Sequence, residues 1–262
     1  MKKLLLAIPV LIDRENRLTK CLTAAFKQTM VQNGDADIYV ISNNPNDQSL
    51  VEQIDQFDDG YLIVNDDNLG VSGSWNQAMI EAKKNDYEYT CCIGFDTVFK
   101  DNLLLEDFVK EMKSSGSIFG RGKSMSFNFW MVETVRFLDN VGSYDENFYP
   151  AYWEDIDMMR RLRMARDKGY IKTLKYNDSG RMVHSQSRTV NDHEEIIPHD
   201  VWNYTYTQNQ LYIRNKWGTD QDNHNVGYAN PFGELKFHNS FWVLDHKRYE
   251  RNKQKWDNCL NQ

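Results

Sequence analysis

Four short strand-like runs, each followed by a segment whose apolar residues fall at helical spacing, constrain this chain more than any other feature. Leu4 to Ile8 has the continuous apolar character of a strand buried on both faces, and Pro9 is expected to end it. Leu18, Cys21, Leu22, Ala25 and Phe26 then recur at helical spacing. A strand at Ile38 to Ile41, a helix near Ser49 to Phe57 and a strand at Tyr61 to Val64 repeat the pattern. A helix running to about Lys84, a fourth strand at Tyr89 to Phe95 and a helix carrying Leu104, Leu105, Phe108, Val109 and Met112 extend it. Such alternation predicts an α/β fold with a mostly parallel central sheet flanked by helices, in which ligands bind beyond the carboxyl ends of the strands. Function is therefore expected in the polar turns.

The turns have distinct chemistry. Ser42-Asn43-Asn44-Pro45-Asn46-Asp47 follows the second strand. Asn65 to Asn76 follows the third, with Gly70 and Gly73 ahead of a helix; glycines allow close backbone approach, and a helix N-terminus offers free N–H groups to an anion. An ordinary strand-to-helix loop gives the same pattern. Asp96-Thr97 stands where the fourth strand ends, and Asp101 caps the helix that follows. An acid in that layer can hold a divalent cation bridging phosphates, or can be a turn residue. Further on, Gly120-Arg121-Gly122-Lys123 separates two strand-like runs, Glu133 to Val141 reads as a short helix, and Ile171 to Tyr176 as a strand before His184. His184 lies in a polar segment, Arg181 to Thr189, ill suited to a core. The tail from His193 is dense in Trp, Tyr, Asn and His, with a helix expected from about Asp200 to Lys216.

Between these lies a loop of Gly, Asp, Asn and Tyr, Asn140 to Trp153, feeding a helix that opens Glu154-Asp155-Ile156-Asp157 and continues with arginines. Acid early and base later suits the helix dipole. If Met158, Leu162 and Ala165 form the apolar stripe, Asp155 is expected on the same face, pointing inward, flanked by Glu154 and Asp157. Such a carboxylate can take a proton from a substrate hydroxyl. Capping of the helix by acidic residues is the alternative.

The chain has 262 residues and a net charge of −7, which argues against general nucleic-acid affinity. Cys21, Cys91, Cys92 and Cys259 show no metal spacing and read as reduced packing residues of a cytoplasmic protein. The basic, apolar opening is unlike a signal peptide, because Pro9 interrupts it and no small-residue cleavage site follows. No stretch is apolar for the roughly 18 residues of a membrane span.

Several of these segments, taken in order, resemble family 2 of the inverting glycosyltransferases, which have the GT-A fold. They are Leu6-Ala7-Ile8-Pro9, Tyr39 to Asn44, Asn68-Leu69-Gly70 with Asn76, Gly94-Phe95-Asp96-Thr97, Gly142 to Phe148 with Glu154-Asp155-x-Asp157 and Arg161, and Tyr212 to Gly218 with Pro231-Phe232. The resemblance implies a GT-A domain at 1–190 and a helical, aromatic C-terminal extension at 191–262 packed on it, on the acceptor side. It implies transfer of a sugar from a nucleoside-diphosphate sugar to an acceptor hydroxyl, with Asp155 as base and Glu154 beside it. Pro9, Ser42, Asn43, Asn44, Asn68, Gly70, Asn76, Asp96 and Thr97 would contact the donor, and Trp153 and Asp157 the acceptor. Mn²⁺ or Mg²⁺ would be held by Asp96 and His184. Gly94 stands where the family's Asp-x-Asp has its first acid, and Asn43 and Asn44 stand where many members have Asp. A UDP-sugar is the donor that family precedent favours, with a glycan or lipid-linked glycan as acceptor. A protein or a hydroxylated nucleic-acid base is the alternative acceptor. Rival readings are a carbohydrate- or nucleotide-binding module without turnover and a glycoside hydrolase with paired carboxylates.

Overall fold

The computed structural model describes residues 3–13, 15–44, 48–57, 60–184, 198–221, 226–227, 231–233 and 250–254. Positions 45–47 of the second turn, most of the polar segment after His184, the boundary expected near 190 and Cys259 lie outside them. The chain divides into two compact units. The first comprises Met1–Asn68, Gln77–Phe137 and Lys172–Thr189, and the second Leu69–Asn76, Leu138–Ile171 and Val190–Gln262.

The first unit is built on a seven-stranded sheet of order β3-β2-β1-β4-β7-β6-β8. Strands β1 (Leu4–Val10), β2 (Ala36–Ser42), β3 (Gly60–Val64) and β4 (Tyr89–Ile93) pair in parallel, so their carboxyl ends share one edge. Helices α1 (Arg17–Ala25), α2 (Thr29–Gln32), α3 (Gln48–Ile54) and α4 (Gly70–Lys84) make the crossovers. The parallel β1 to β4 core and its helices are those the alternating pattern implied. The run on β1, from Leu4 to Ile8, is wholly buried, as a strand covered on both faces requires.

Pro9 does not end β1. The strand continues to Val10, with Pro9 opposite Ile41 of β2. Pairing with β4 stops at Ala7, so Pro9 sits where β1 has become an edge on that side, a position that tolerates a missing N–H. Beyond β4, a short β5 (Thr97–Phe99) leads into α5 (Leu104–Ser115). Asp101 serves α5 from outside its cap: its carboxylate accepts from the Leu103 N–H at 2.9 Å and from Arg181 at 2.6 Å. Strands β6 (Phe119–Gly122) and β7 (Ser126–Glu133) add an antiparallel hairpin to β4, and β8 (Thr173–Tyr176) closes the sheet parallel to β6. A second, two-stranded sheet pairs β5 with β9 (Met182–His184).

Short α6 (Thr134–Asn140) leads on to the second unit, whose long helices are α7 (Glu154–Asp167) and α8 (His199–Trp217); a 3₁₀ turn lies at Pro231–Gly233. Cys21, Cys91 and Cys92 are buried free thiols whose pKa values burial pushes up, as packing residues should be. Among the described residues no helix is long and apolar enough to cross a membrane.

Gly120 shows how closely α5 lies on the sheet. A Cβ there would meet the Phe108 ring at 2.5 Å and the Met112 sulfur at 2.7 Å, and both side chains are fully buried. Gly120→Val is therefore expected to destabilise the fold by about 1–3 kcal/mol through overpacking. The urea midpoint of the variant is the measurement, and an unchanged midpoint would contradict this packing.

Candidate active site

The carboxyl edge of the parallel strands gathers Pro9, Ser42, Asn43, Asn44 and Asp96 in the first unit. The turn after β2 is built by its own polar groups. The Asn43 N–H donates to Val10 O at 2.9 Å, and Ser42 Oγ both accepts from the Asn44 N–H and donates to Asn44 O, at 3.3 and 3.2 Å. Asn43 Oδ1 accepts from Asn65 Nδ2 at 3.1 Å, and Asn65 exchanges two further hydrogen bonds with Gln77 on α4, at 3.0 and 2.8 Å. Three side-chain amides thus tie the ends of β2 and β3 to the middle of α4. Asn68, after β3, is buried.

After β4 the chain turns at Gly94-Phe95-Asp96, closed by the Thr97 N–H donating to Gly94 O at 3.0 Å. The antiparallel register of β5 and β9 then sets His184 opposite Thr97. Asp96 and His184, far apart in the chain, meet at 2.9 Å between Oδ1 and Nε2, and both side chains are almost wholly buried. A Cβ on Gly94 would lie 3.0 Å from that same Oδ1 and 3.2 Å from that Nε2. The glycine that replaces an acid therefore leaves room where the pair meets. One carboxylate oxygen and one imidazole nitrogen suit Mn²⁺ or Mg²⁺, with other ligands coming from outside the protein. Among the described residues no cluster of three or more His, Cys, Asp or Glu side chains forms a protein-only cage. Thr97 is fully buried in the same turn.

In the second unit, the loop ahead of α7 is held by residues on three elements. Asn76 donates to Tyr144 O at 2.9 Å and to Glu146 Oε1 at 2.8 Å, and accepts from the Tyr144 N–H at 2.7 Å. Its amide, expected beside a nucleotide, is instead used up in anchoring this loop. Gly70, with φ +70°, is needed because Pro150 O would lie 2.6 Å from any Cβ there, and the Val71 N–H donates to that oxygen at 2.7 Å. The expected glycine-rich loop is shorter than its sequence suggests, since α4 already includes Gly73 and Asn76.

The phase of α7 differs from the expectation. Met158, Leu162 and Ala165 do form its buried stripe. The carboxylate one turn before Met158 at i−4 spacing is Glu154, and it is Glu154 that turns inward, at 7% exposure, while Asp155 stays half-buried at the margin. Burial, and then the charge of Asp155, push the Glu154 carboxyl well above the usual range, against the pull of backbone N–H groups at Glu154 and Tyr152. Its Oε2 has no hydrogen-bond partner among the described residues.

Asp157 was expected on the acceptor side, but it is fully enclosed. Its two oxygens accept from Arg161 at 3.0 Å, Lys216 at 2.8 Å and the Trp217 indole at 2.8 Å. Lys216, itself sealed from solvent, also meets Asp145 at 2.6 Å, and Asp145 accepts from Tyr212 at 2.9 Å and Asn147 at 2.9 Å. Arg161 completes the set by donating to the carbonyls of Val141 and Ser143, at 3.1 and 2.9 Å. Sequence reasoning missed Lys216: the Lys-Trp-Gly segment was visible, but nothing local announces that its lysine bridges two aspartates on other segments. Trp153 precedes α7 with φ +77° and its ring 5.4 Å from that of Tyr206.

Two expectations follow from these carboxylates. Burial alone would push Asp157 up, but Lys216 and Arg161 more than reverse this and hold it below the usual carboxylate range. Its folded-state pKa lies below the unfolded one, so the stability it confers is complete above the ordinary aspartate range and drains as pH falls through the depressed folded value. Lys216→Met should cost about 3–5 kcal/mol at neutral pH and move the acid-unfolding midpoint upward; urea titrations at several pH values would show both. Glu154 has the opposite sign: its raised folded-state pKa costs stability as pH rises above the unfolded carboxylate range. Glu154→Gln should therefore leave the melting temperature unchanged or higher at neutral pH, and a clear loss of stability there would contradict a neutral, buried Glu154.

The family model for glycosyl transferase family 2 matches residues 6–173. No curated protein sequence matches the chain. Among solved structures, the mannosyltransferase PcManGT from Pyrobaculum calidifontis, in complex with GDP-Man and Mn²⁺, superposes with TM-score 0.53 at 11% identity, over 67% of this chain and 55% of its own. S. aureus TarS 1–349 superposes with TM-score 0.55 at 12% identity, over 98% of this chain and 81% of its own. The same TarS fragment in complex with UDP-GlcNAc gives TM-score 0.54 at 13% identity. The chain spans about half the length of two of these neighbours, 55% of the mannosyltransferase and 42% of the longer TarS chain. At such identities the likeness speaks to fold, and the fold is that of the GT-A glycosyltransferases. With the family model covering well over half of its residues, this chain belongs to glycosyl transferase family 2.

Proposed function

We propose that this chain transfers a sugar from a nucleoside-diphosphate donor to an acceptor hydroxyl, with inversion at the anomeric carbon. The observation that carries the reading is the buried Asp96–His184 pair beside Gly94, at the carboxyl end of β4 in a family 2 fold. Pro9, Ser42, Asn43, Asn44, Asn68 and Thr97 are the donor-side residues of the first unit. Asp96 and His184 are the protein ligands of a Mn²⁺ or Mg²⁺ ion, which when bound offsets the negative charge developing on the departing diphosphate.

In the reaction, the acceptor oxygen bonds to the anomeric carbon as the bond from that carbon to the diphosphate breaks, and the diphosphate leaves with the bonding electrons. Asp155 takes the proton from the acceptor hydroxyl. Burial and the charge of Asp155 favour the protonated form of Glu154, so the less buried Asp155 is the carboxylate of the pair, which is how two neighbouring carboxyls acquire different tasks. UDP is the favoured nucleotide, supported by the neighbours that carry UDP and UDP-GlcNAc. The acceptor is a glycan or lipid-linked glycan, with residues 191–262 and Trp153 on the acceptor side, and supply of a nucleotide sugar suits a cytoplasmic enzyme.

Calorimetry with UDP-, GDP-, CDP- and dTDP-sugars, with and without Mn²⁺, tests the donor half. One of them should bind in a metal-dependent way, and Asp96→Ala should abolish this while His184→Ala weakens it. Asp155→Asn should keep donor binding yet lose about 10²–10⁴-fold in turnover, as removal of a general base does. A folded protein that binds none of the four, or an Asp155→Asn variant with full turnover, would overturn the assignment.

A further inference from the structure

The second unit contains an aromatic cluster that neither the donor nor the proton transfer uses. Tyr152 and Trp153, the two residues ahead of α7, both have left-handed backbone, at φ +73° and +77°. For non-glycine residues this conformation is strained, and it persists only where the surroundings over-determine it. Here the surroundings are identifiable. Asn209 on α8, fully buried, donates to Ala151 O at 2.9 Å and lies 3.3 Å from the carbonyl oxygens of Tyr149 and Tyr152. Asn252 adds a bond to Tyr149 O at 3.1 Å. The strained turn aims two aromatic rings at α8. Tyr152 stands edge-on to Trp202 with centroids 4.3 Å apart and 5.9 Å from Tyr206, while Trp153 lies 5.4 Å from Tyr206 and Trp202 lies 6.2 Å from it.

The cluster is not sealed in a core. Tyr206 is 37% exposed, and Tyr152, Trp153 and Trp202 are each half-buried. It is also not purely apolar. The Trp153 indole N–H is buried with no hydrogen-bond partner among the described residues, and so is Glu154 Oε2, on the next residue. Unsatisfied polar atoms beside open ring faces match a ligand with both C–H faces and hydroxyls. The helices beside the rings open on charged acids, Asp155 on α7 and Asp200 on α8, a setting that opposes a phosphate-rich chain.

We propose that Tyr152, Trp153, Trp202 and Tyr206 form the acceptor subsite, and that its ligand is an uncharged sugar ring of a glycan stacked on these aromatics. The substrate class follows from the transferase reading above, on which this assignment of the acceptor rests. Ring faces supply the contact area, and the Trp153 N–H and Glu154 take sugar hydroxyls. A phosphorylated glycan, a nucleic acid or an anionic peptide is disfavoured by the flanking carboxylates.

The test titrates the full chain with neutral pentaoses (chitopentaose, cellopentaose, laminaripentaose and maltopentaose), with pentagalacturonate as a charged comparator and with UDP plus Mn²⁺. Tryptophan fluorescence and thermal shift are the readouts. At least one neutral pentaose should bind, pentagalacturonate should not, and Trp202→Ala and Tyr206→Ala should each weaken the pentaose by about tenfold or more, the loss of roughly one stacking contact. Tyr206→Trp should retain binding, and all three variants should bind UDP as the wild type does. Binding by none of the neutral pentaoses, tighter binding of pentagalacturonate, or affinity indifferent to both alanine variants would overturn the proposal. Failure of UDP alone would overturn the choice of nucleotide and leave the aromatic subsite standing, whereas pentaose binding that survives both alanine variants would overturn the subsite with the donor reading intact, so the two readings fail separately.

Discussion

A lysine ammonium with no access to water, clamped between Asp145 and Asp157, is the constraint on which the second unit depends. Its attraction to two carboxylates must offset the desolvation of all three charges, and it does so only because Arg161, Tyr212, Asn147 and Trp217 satisfy the remaining lone pairs. A set bonded this fully admits one arrangement of the loop, of α7 and of the end of α8. That arrangement fixes where α7 begins, and therefore which acid of Glu154-Asp155 is buried and which stays at the margin.

The same logic of holding appears at smaller scale in the first unit. Asp96 and His184 are brought together by the register of two three-residue strands, and the Asn43–Asn65–Gln77 amides fix side chains at the ends of β2 and β3. In each case a side chain with chemical potential rests on a neighbour whose only task is orientation, as preorganised sites require.

Sequence alone revealed the parallel core because strands buried on both faces read as unbroken apolar runs, and Leu4 to Ile8 does. The family resemblance, rather than local pattern, singled out Asp96 and His184 together; the polar segment argued against burial of His184, yet the register of β5 and β9 leaves its side chain almost wholly buried. Other features were hidden for physical reasons. The stripe on α7 fits Asp155 at i−3 and Glu154 at i−4, and the choice between them depends on contacts far away in the sequence that set where the helix begins. Pro9 looked like a terminator because the local sequence does not say where the neighbouring strand stops pairing. Lys216 looked like an ordinary basic residue in the last turn of a helix, because ion pairs across long sequence separations leave no periodic trace. Asn76 resembled a ligand contact, but its hydrogen bonds were already committed to Tyr144 and Glu146.

Gly94 bears on how such a site can change over time. The space a side chain would need at position 94 is the space in which Asp96 and His184 meet. A Cβ at 94 would lie 3.0 Å from Asp96 Oδ1 and 3.2 Å from His184 Nε2, so adding a side chain there asks one of the pair to give way by a few tenths of an ångström. Any side chain gained at this position would thus be felt first in the spacing of Asp96 and His184, whose atoms are the nearest ones to it.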